Sequence, residues 1–155
     1  MNHEEATLNG KRYEDYIFPL IWAIMFPGTK LGKSNAYQNM HYHYDYWWKC
    51  YNKGKWRYYK LEVKYKYKGW GVYVLWELLN VNGDAGWGLG EADFIVFGAK
   101  DGIYVVNRAK VTAYICKKLG IQPDVKSLRE AQSCLFDGAP FFLSRYKENE
   151  NRFRY

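Results

Sequence analysis

The tripeptide Asn52-Lys53-Gly54 constrains this chain more than any other feature. It separates two runs of strand-forming residues, HYHYDYWWKC at 41–50 and WRYYKLEVKYKY at 56–67. Asn and Gly tolerate the positive φ of tight hairpin turns, and aromatic and β-branched flanks favour a pleated strand. A hairpin is expected, its turn centred between Lys53 and Gly54. In that register Asn52 faces Lys55, Tyr44 faces Val63, Asp45 faces Glu62, and His43 sits opposite Lys64. Side chains alternate along a strand, so a slip of one residue would exchange the two faces. The expected register gathers Tyr44, Tyr46, Trp48, Leu61, Val63 and Tyr65 on an apolar face. His43, Asp45, Glu62 and Lys64 share the other.

On a strand over 41–50, His41, His43 and Asp45 point the same way. Three readings stay open at that point: a zinc-type cluster, a polar face without a task, or half of a site completed elsewhere. Imidazole is a good zinc ligand, but the chain has three histidines, and Tyr46 stands where a metallo-hydrolase pattern would continue with another. Two carboxylates directly opposite each other repel. A divalent cation would offset the repulsion between Asp45 and Glu62, and so would Lys64. Mg²⁺ typically takes one or two carboxylates, several waters and a phosphate.

The rest of the chain reads as one α/β (α+β) domain over 1–146, with a central mixed sheet flanked by helices, and a flexible charged tail over 147–155. A helix is expected over 13–26, with Ile17, Leu20, Ile21, Ile24 and Met25 recurring at spacings of three and four, and Pro27-Gly28 ending it. Strands are expected at 72–79, 92–99 and 103–108. A helix over 108–119 should stop at Gly120, another should span 124–135, and the last strand is FFLSRY.

Net charge is +7 and 20% of residues are aromatic, which favours a polyanionic partner and leaves rings to spare for stacking. Cys50, Cys116 and Cys134 are odd in number and form no C-x-x-C, which argues against a disulfide framework and fits a reducing compartment. The polar N-terminus and the short apolar run IFPLIWAIMFPG, interrupted by Pro19, give neither a signal peptide nor a membrane span. A cytoplasmic protein is expected. GWGLGEA lacks the lysine and spacing of a phosphate-cradling loop and does not lead from a strand into a long helix, and no serine sits in a nucleophile elbow.

Asp45, a hairpin and then LEVK at 61–64 resemble the D…(D/E)-x-K signature of the PD-(D/E)XK nuclease superfamily. The stretch AGWGLGEADFIVF at 85–97, followed by the hairpin DGIYVVNR, is similar to small phage-type members of that superfamily. Such members often carry a glutamate on the third strand, as Glu77 sits in LWELL. Tyr44 stands where the signature has proline. The resemblance covers residues 13–98 and implies a restriction-endonuclease-like core: helix, three strands, helix, strand, with the second helix very short here.

The resemblance further implies hydrolysis of DNA phosphodiester bonds. Asp45 and Glu62 would bind Mg²⁺ or Mn²⁺, with Glu77 or Glu14 as a further ligand and Glu5 a weaker choice. Lys64 would orient the attacking water. Lys60, Lys66 and Lys68 are either a solvated strand face or a track for the DNA backbone. His43 becomes a phosphate contact, while Trp70, Tyr67 and Trp87 are candidates for base stacking. Asp93 is expected to be structural. Duplex or branched DNA is the expected partner, and two cuts commonly need two active sites, hence a homodimer. The rival reading is a nucleic-acid-binding or viral structural module on the same fold, without catalysis.

Overall fold

The structure, a computed structural model, describes residues 3–65, 73–80, 82–99, 102–135 and 142–147. The chain begins with a long helical segment: α1 (His3–Arg12), a π-helical turn (Tyr13–Ile17) and α2 (Phe18–Met25). A short strand β1 (Lys30–Lys33) and a two-turn helix α3 (Ala36–Tyr42) follow. The hairpin is β2 (Tyr46–Asn52) and β3 (Lys55–Tyr65), then β4 (Tyr73–Leu79) and a 3₁₀ turn (Trp87–Leu89). The chain continues through β5 (Phe94–Ala99), β6 (Gly102–Asn107), α4 (Arg108–Leu119), α5 (Val125–Leu135) and β7 (Phe142–Lys147).

The main sheet is mixed, in the order β1-β2-β3-β5-β6. The β3–β5 pair is parallel and its other pairs are antiparallel. Over residues 46–52 the hairpin register is the expected one: Asn52 pairs with Lys55 and Tyr46 with Leu61, around a turn in which Lys53 (φ 50°) and Gly54 (φ 79°) are both left-handed. The ladder ends at Tyr46, so the expected pairs Asp45–Glu62, Tyr44–Val63 and His43–Lys64 do not form. The helix ending at Gly120 also stands as expected. Asn107 caps its start by accepting from the Lys110 amide at 3.0 Å, and Gly120 closes it at φ 69°.

Each face of the main sheet carries its own core. Leu61, Val63, Val96 and Val105 pack under Tyr13, Phe18 and Trp22 of the N-terminal helix. On the other face Ile95, Phe97, Tyr104 and Val106 meet Trp76, Leu78, Trp87, Val111 and Ile115. Burying rings such as Phe18 and Trp22 contributes on the order of 3–5 kcal/mol each against truncation to alanine.

Three expectations are corrected, concerning the stretch 41–45, the first helix and β4. The stretch 41–45 is not strand, and His41, His43 and Asp45 share no strand face. Asn35 instead nucleates α3 through a capping box: its side chain accepts from the Gln38 amide at 2.8 Å, and Gln38 Oε1 accepts from the Asn35 amide at 3.0 Å. His41 falls in the last turn of that helix, and His43 ends it in the left-handed conformation, φ 53°. Tyr44, just outside the ladder, joins the core on the opposite face from Tyr46.

The apolar stripe of the first helix is also corrected. Ile17, Leu20, Ile24 and Met25 are exposed, and Tyr13, Phe18 and Trp22 are buried. The π turn inserts one extra residue, so Tyr13 and Phe18, five apart, fall on one face, which Trp22 then continues at a spacing of four. Larger rings occupy the sheet because they remove more apolar area from water.

Finally, β4 leaves the central sheet. It pairs with β7 in a separate two-stranded sheet, and the third strand of the antiparallel set is β1. The four-residue KLGK, three of whose residues are glycine or lysine, carries almost no strand signal of its own and is held by pairing with β2.

Candidate active site

Asp45 leads directly into β2, where the chain has turned out of α3. Its backbone amide donates to the Leu61 carbonyl at 2.8 Å, and its carbonyl accepts from the Ser34 amide at 2.8 Å. Its carboxylate is held at both oxygens. Oδ2 accepts from the Val63 amide at 2.7 Å, and Oδ1 accepts from Asn39 Nδ2 at 2.6 Å. The aspartate is thereby fixed against β3, beside Glu62.

Glu62 is 4% exposed. Its Oε1 lies 2.6 Å from Lys64 Nζ, and its other oxygen, Oε2, is buried without a donor. The Asp45 carboxyl is within hydrogen-bonding reach of Glu62, a contact that becomes a bond when one of the two holds a proton. Burial pushes the Glu62 carboxyl up to about 7; Lys64 opposes this and the Asp45 charge adds to it.

Glu14 is the third carboxylate. It lies in the π turn, whose backbone is pinned to β2 by the Tyr46 hydroxyl donating to the Glu14 carbonyl at 2.7 Å. Burial raises Glu14 to about 7 as well, with Lys64 lowering it and Asp45, Glu62 and Asp15 raising it. Burial works against the Lys64 ammonium, but Glu62, Asp45 and Glu14 outweigh it and its pKa moves upward. Lys64 therefore stays protonated at neutral pH and cannot serve as a base there.

A cleft of about 860 Å³ opens at this cluster, lined by Glu14, Asp45 and Lys64 and by Asp15, Lys33 and Asn39 among others. Lys33 is ion-paired with Asp15 across it. The sequence reading missed Asn39, Asp15 and Lys33. The Asn35-x-x-Gln38 capping pattern is the signal that would have placed Asn39 on a helix preceding Asp45.

Other candidates fall elsewhere. Glu77, on β4, packs against Gly86, where an added Cβ would come within 2.6 Å of its Cγ. Lys60 is paired with Glu91 at 2.7 Å and lies over the Tyr44 ring. His43 is the half-buried end of α3, backed by Gly90. Asp93 is structural: its Oδ2 accepts from the Lys60 amide at 2.7 Å, tying the loop before β5 to β3. Trp87 is buried in the core. Lys66, Tyr67, Lys68, Trp70 and the tail over 148–155 lie outside the described residues.

Among the described residues, no three His, Cys, Asp or Glu side chains form a ready cage for a metal ion. Mg²⁺ does not need one, since it binds through one or two carboxylates and keeps several waters. The donor set fits such an ion. Asp45 and Glu62 supply oxygen ligands only, Glu62 Oε2 is a buried oxygen without a donor, and mutual repulsion raises the acids' affinity for any cation. Asp45 and Glu62 would hold the metal, with Glu14 next to them.

No helix among the described residues is long and apolar enough to cross a membrane. The chain matches no protein-family model, no curated protein and no solved structure.

Proposed function

We propose that this chain is a metal-dependent endonuclease hydrolysing phosphodiester bonds of DNA. One observation carries the reading: Glu14, Asp45 and Lys64, from a helix, a strand entry and a strand, line one cleft, and Glu62 lies buried behind it, paired with Lys64. The order of elements, a helical segment, three antiparallel strands with α3 set between the first two, and then a strand parallel to the third, is compatible with the PD-(D/E)XK pattern. The excursion through β4 occupies the place of the pattern's second helix.

A bound Mg²⁺ or Mn²⁺ would supply Lewis acidity toward the phosphate and a more acidic water. Asp45, clamped by Asn39 and the Val63 amide, and Glu62 would hold it. Lys64 would act as a fixed positive charge and hydrogen-bond donor, orienting the water and stabilising charge that grows on the phosphate. Glu14, titrating near neutrality, suits proton uptake or release beside the reacting centre.

The test is cleavage of plasmid, single-stranded and branched DNA with Mg²⁺, with Mn²⁺ and with chelator, beside Glu62→Gln and Asp45→Asn. Metal-dependent cutting lost in both variants is expected. Full cutting by either variant, or none by the wild type, overturns the reading. The rival, a nucleic-acid-binding module without catalysis, draws its support from the Lys64–Glu62 ion pair, in which the lysine is already neutralised. It requires retained binding and no cleavage under any metal.

A further inference from the structure

The hairpin projects beyond the sheet that anchors it. β1 pairs with residues 46–49 of β2, and β5 pairs with residues 61–65 of β3. Between them the arm is a two-stranded ribbon. Alternation assigns its side chains to two faces. One face packs on the core through Tyr46 and Leu61, with Trp48 and Tyr59 partly buried beside them. The other carries Trp47, Lys49 and Tyr51 on β2 and Trp56 and Tyr58 on β3.

That second face is uncovered: Trp56 is 50% exposed, Tyr51 61% and Tyr58 64%. Exposing so much ring surface is costly unless something covers it. The rings are held in place. Tyr51 pairs with Trp56 across the ladder with ring centroids 5.5 Å apart, and Trp47 and Tyr58 are 6.4 Å apart. Lys49 sits between them, its ammonium 5.2 Å from the Trp56 ring and 5.3 Å from the Tyr58 ring. Trp47 packs against β1 at Gly32, which leaves the space: a Cβ there would fall 1.9 Å from the indole.

The charge on the arm has one sign. Residues 46–61 include Lys49, Lys53, Lys55, Arg57 and Lys60, and no Asp or Glu. Exposed rings alone would suit a protein partner as well, but five cations without an acid match a polyanion, whose bases stack on rings while cations meet its phosphates. Along β3 the same face continues from Trp56 and Tyr58 through Lys60 to Glu62 and Lys64. Six residues separate Trp56 from Glu62, roughly 20 Å at the rise of a strand.

We propose that this outer face of the β2–β3 arm is a stacking platform for unpaired nucleotides, binding single-stranded nucleic acid through Trp56, Tyr58, Tyr51 and Trp47 with Lys49 beside them. This is a binding site separate from the carboxylate cluster, and it does not require that cluster to cleave.

The test is binding of a fluorescein-labelled oligothymidylate and of a blunt duplex, in chelator so that no cleavage occurs. Wild type, Trp56→Ala/Tyr58→Ala and Trp56→Phe proteins are compared by anisotropy and by quenching of tryptophan fluorescence. The substituted side chains are exposed, and circular dichroism checks that each variant is folded. The expected result is preference for the single strand, quenching, and affinity reduced at least about tenfold in the double variant. Trp56→Phe should retain most of the affinity.

Equal affinity of wild type and double variant for the oligonucleotide overturns the platform. So does absence of oligonucleotide binding, or self-association of the wild type that the double variant loses. Ring-dependent binding by a wild type that cleaves nothing would keep the platform and remove the nuclease.

Discussion

Lys64 Nζ sits 2.6 Å from Glu62 Oε1, and the two residues are neighbours along one face of β3 rather than partners across the sheet. The strand itself holds the pair in register, because side chains two residues apart on a strand point the same way. Glu62 is nearly sealed from water, so the lysine is what keeps an ionised form tolerable there.

Removing the lysine alone should therefore be costly. Lys64→Met leaves a buried carboxylate without its cation, and such a break costs about 3 kcal/mol, the lower end of the usual range because Lys64 keeps some solvent contact. Adding Glu62→Gln should restore most of that loss. Urea denaturation of the two single variants and the double variant measures the coupling. Additive losses would show that the pair contributes nothing as a pair.

The pH dependence follows from Glu62 and Glu14, both raised to about 7 from an ordinary value of 4.5, chiefly by burial. A carboxyl whose folded pKa lies above its unfolded value holds its proton longer in the native state. Its contribution is full below about pH 4.5, declines as pH rises, and is exhausted above about 7. Glu14→Gln/Glu62→Gln should thus gain on the wild type in thermal midpoint between pH 4.5 and 7, with the difference constant from there to pH 8. A difference independent of pH across this window would remove the assignment.

Divalent cations compete with protons for the same oxygens. Mg²⁺ or Mn²⁺ should bind more tightly at pH 8 than at pH 6, and binding at pH 7 should release protons. Isothermal titration in two buffers of different ionisation enthalpy reads both quantities. Binding of equal strength at the two pH values, or binding retained in Asp45→Asn/Glu62→Gln, would place the cation elsewhere.

Asn39 is a positioning residue, acting through Asp45 Oδ1 at 2.6 Å. Asn39→Ala should weaken metal binding or cleavage by roughly tenfold or more, as loss of outer-shell partners does. It should change stability by less than about 1 kcal/mol, because the residue is exposed. Asn39→Asp, which puts a further negative charge against Asp45, should not rescue it. Unchanged metal affinity in Asn39→Ala would mean that Val63 alone orients Asp45.

Gly98 reports on the N-terminal helix. A Cβ there would lie 1.9 Å from the Tyr13 ring, so Gly98→Ala must displace Tyr13 and with it the π turn that presents Glu14. Overpacking of this kind costs about 1–3 kcal/mol. A fall in thermal midpoint is expected, together with loss of the Glu14 contribution to the pH profile. A stable Gly98→Ala protein with an unaltered profile would show that the turn relaxes without moving Glu14.

What the sequence determined by itself was local. The pairing of Asn52 with Lys55 and of Tyr46 with Leu61 follows from one turn and from alternation, and it leaves Asp45 one residue short of the ladder, where its carboxylate takes the Val63 amide. The helix from Arg108 to Leu119 follows likewise from Asn107 and Gly120 at its ends. The Asn35-x-x-Gln38 cap was equally local, but the dense run of aromatics after it imitated strand composition.

Tertiary packing decided the remainder. Whether Glu14 or Glu77 joins Asp45 and Glu62 depends on the π turn, which forms so that Tyr13, Phe18 and Trp22 can all reach the sheet. It depends equally on β4 pairing with β7, more than sixty residues away in sequence, which takes Glu77 to Gly86 instead. Neither choice is written in a short window, because each is set by the burial of side chains that meet only once the chain has folded.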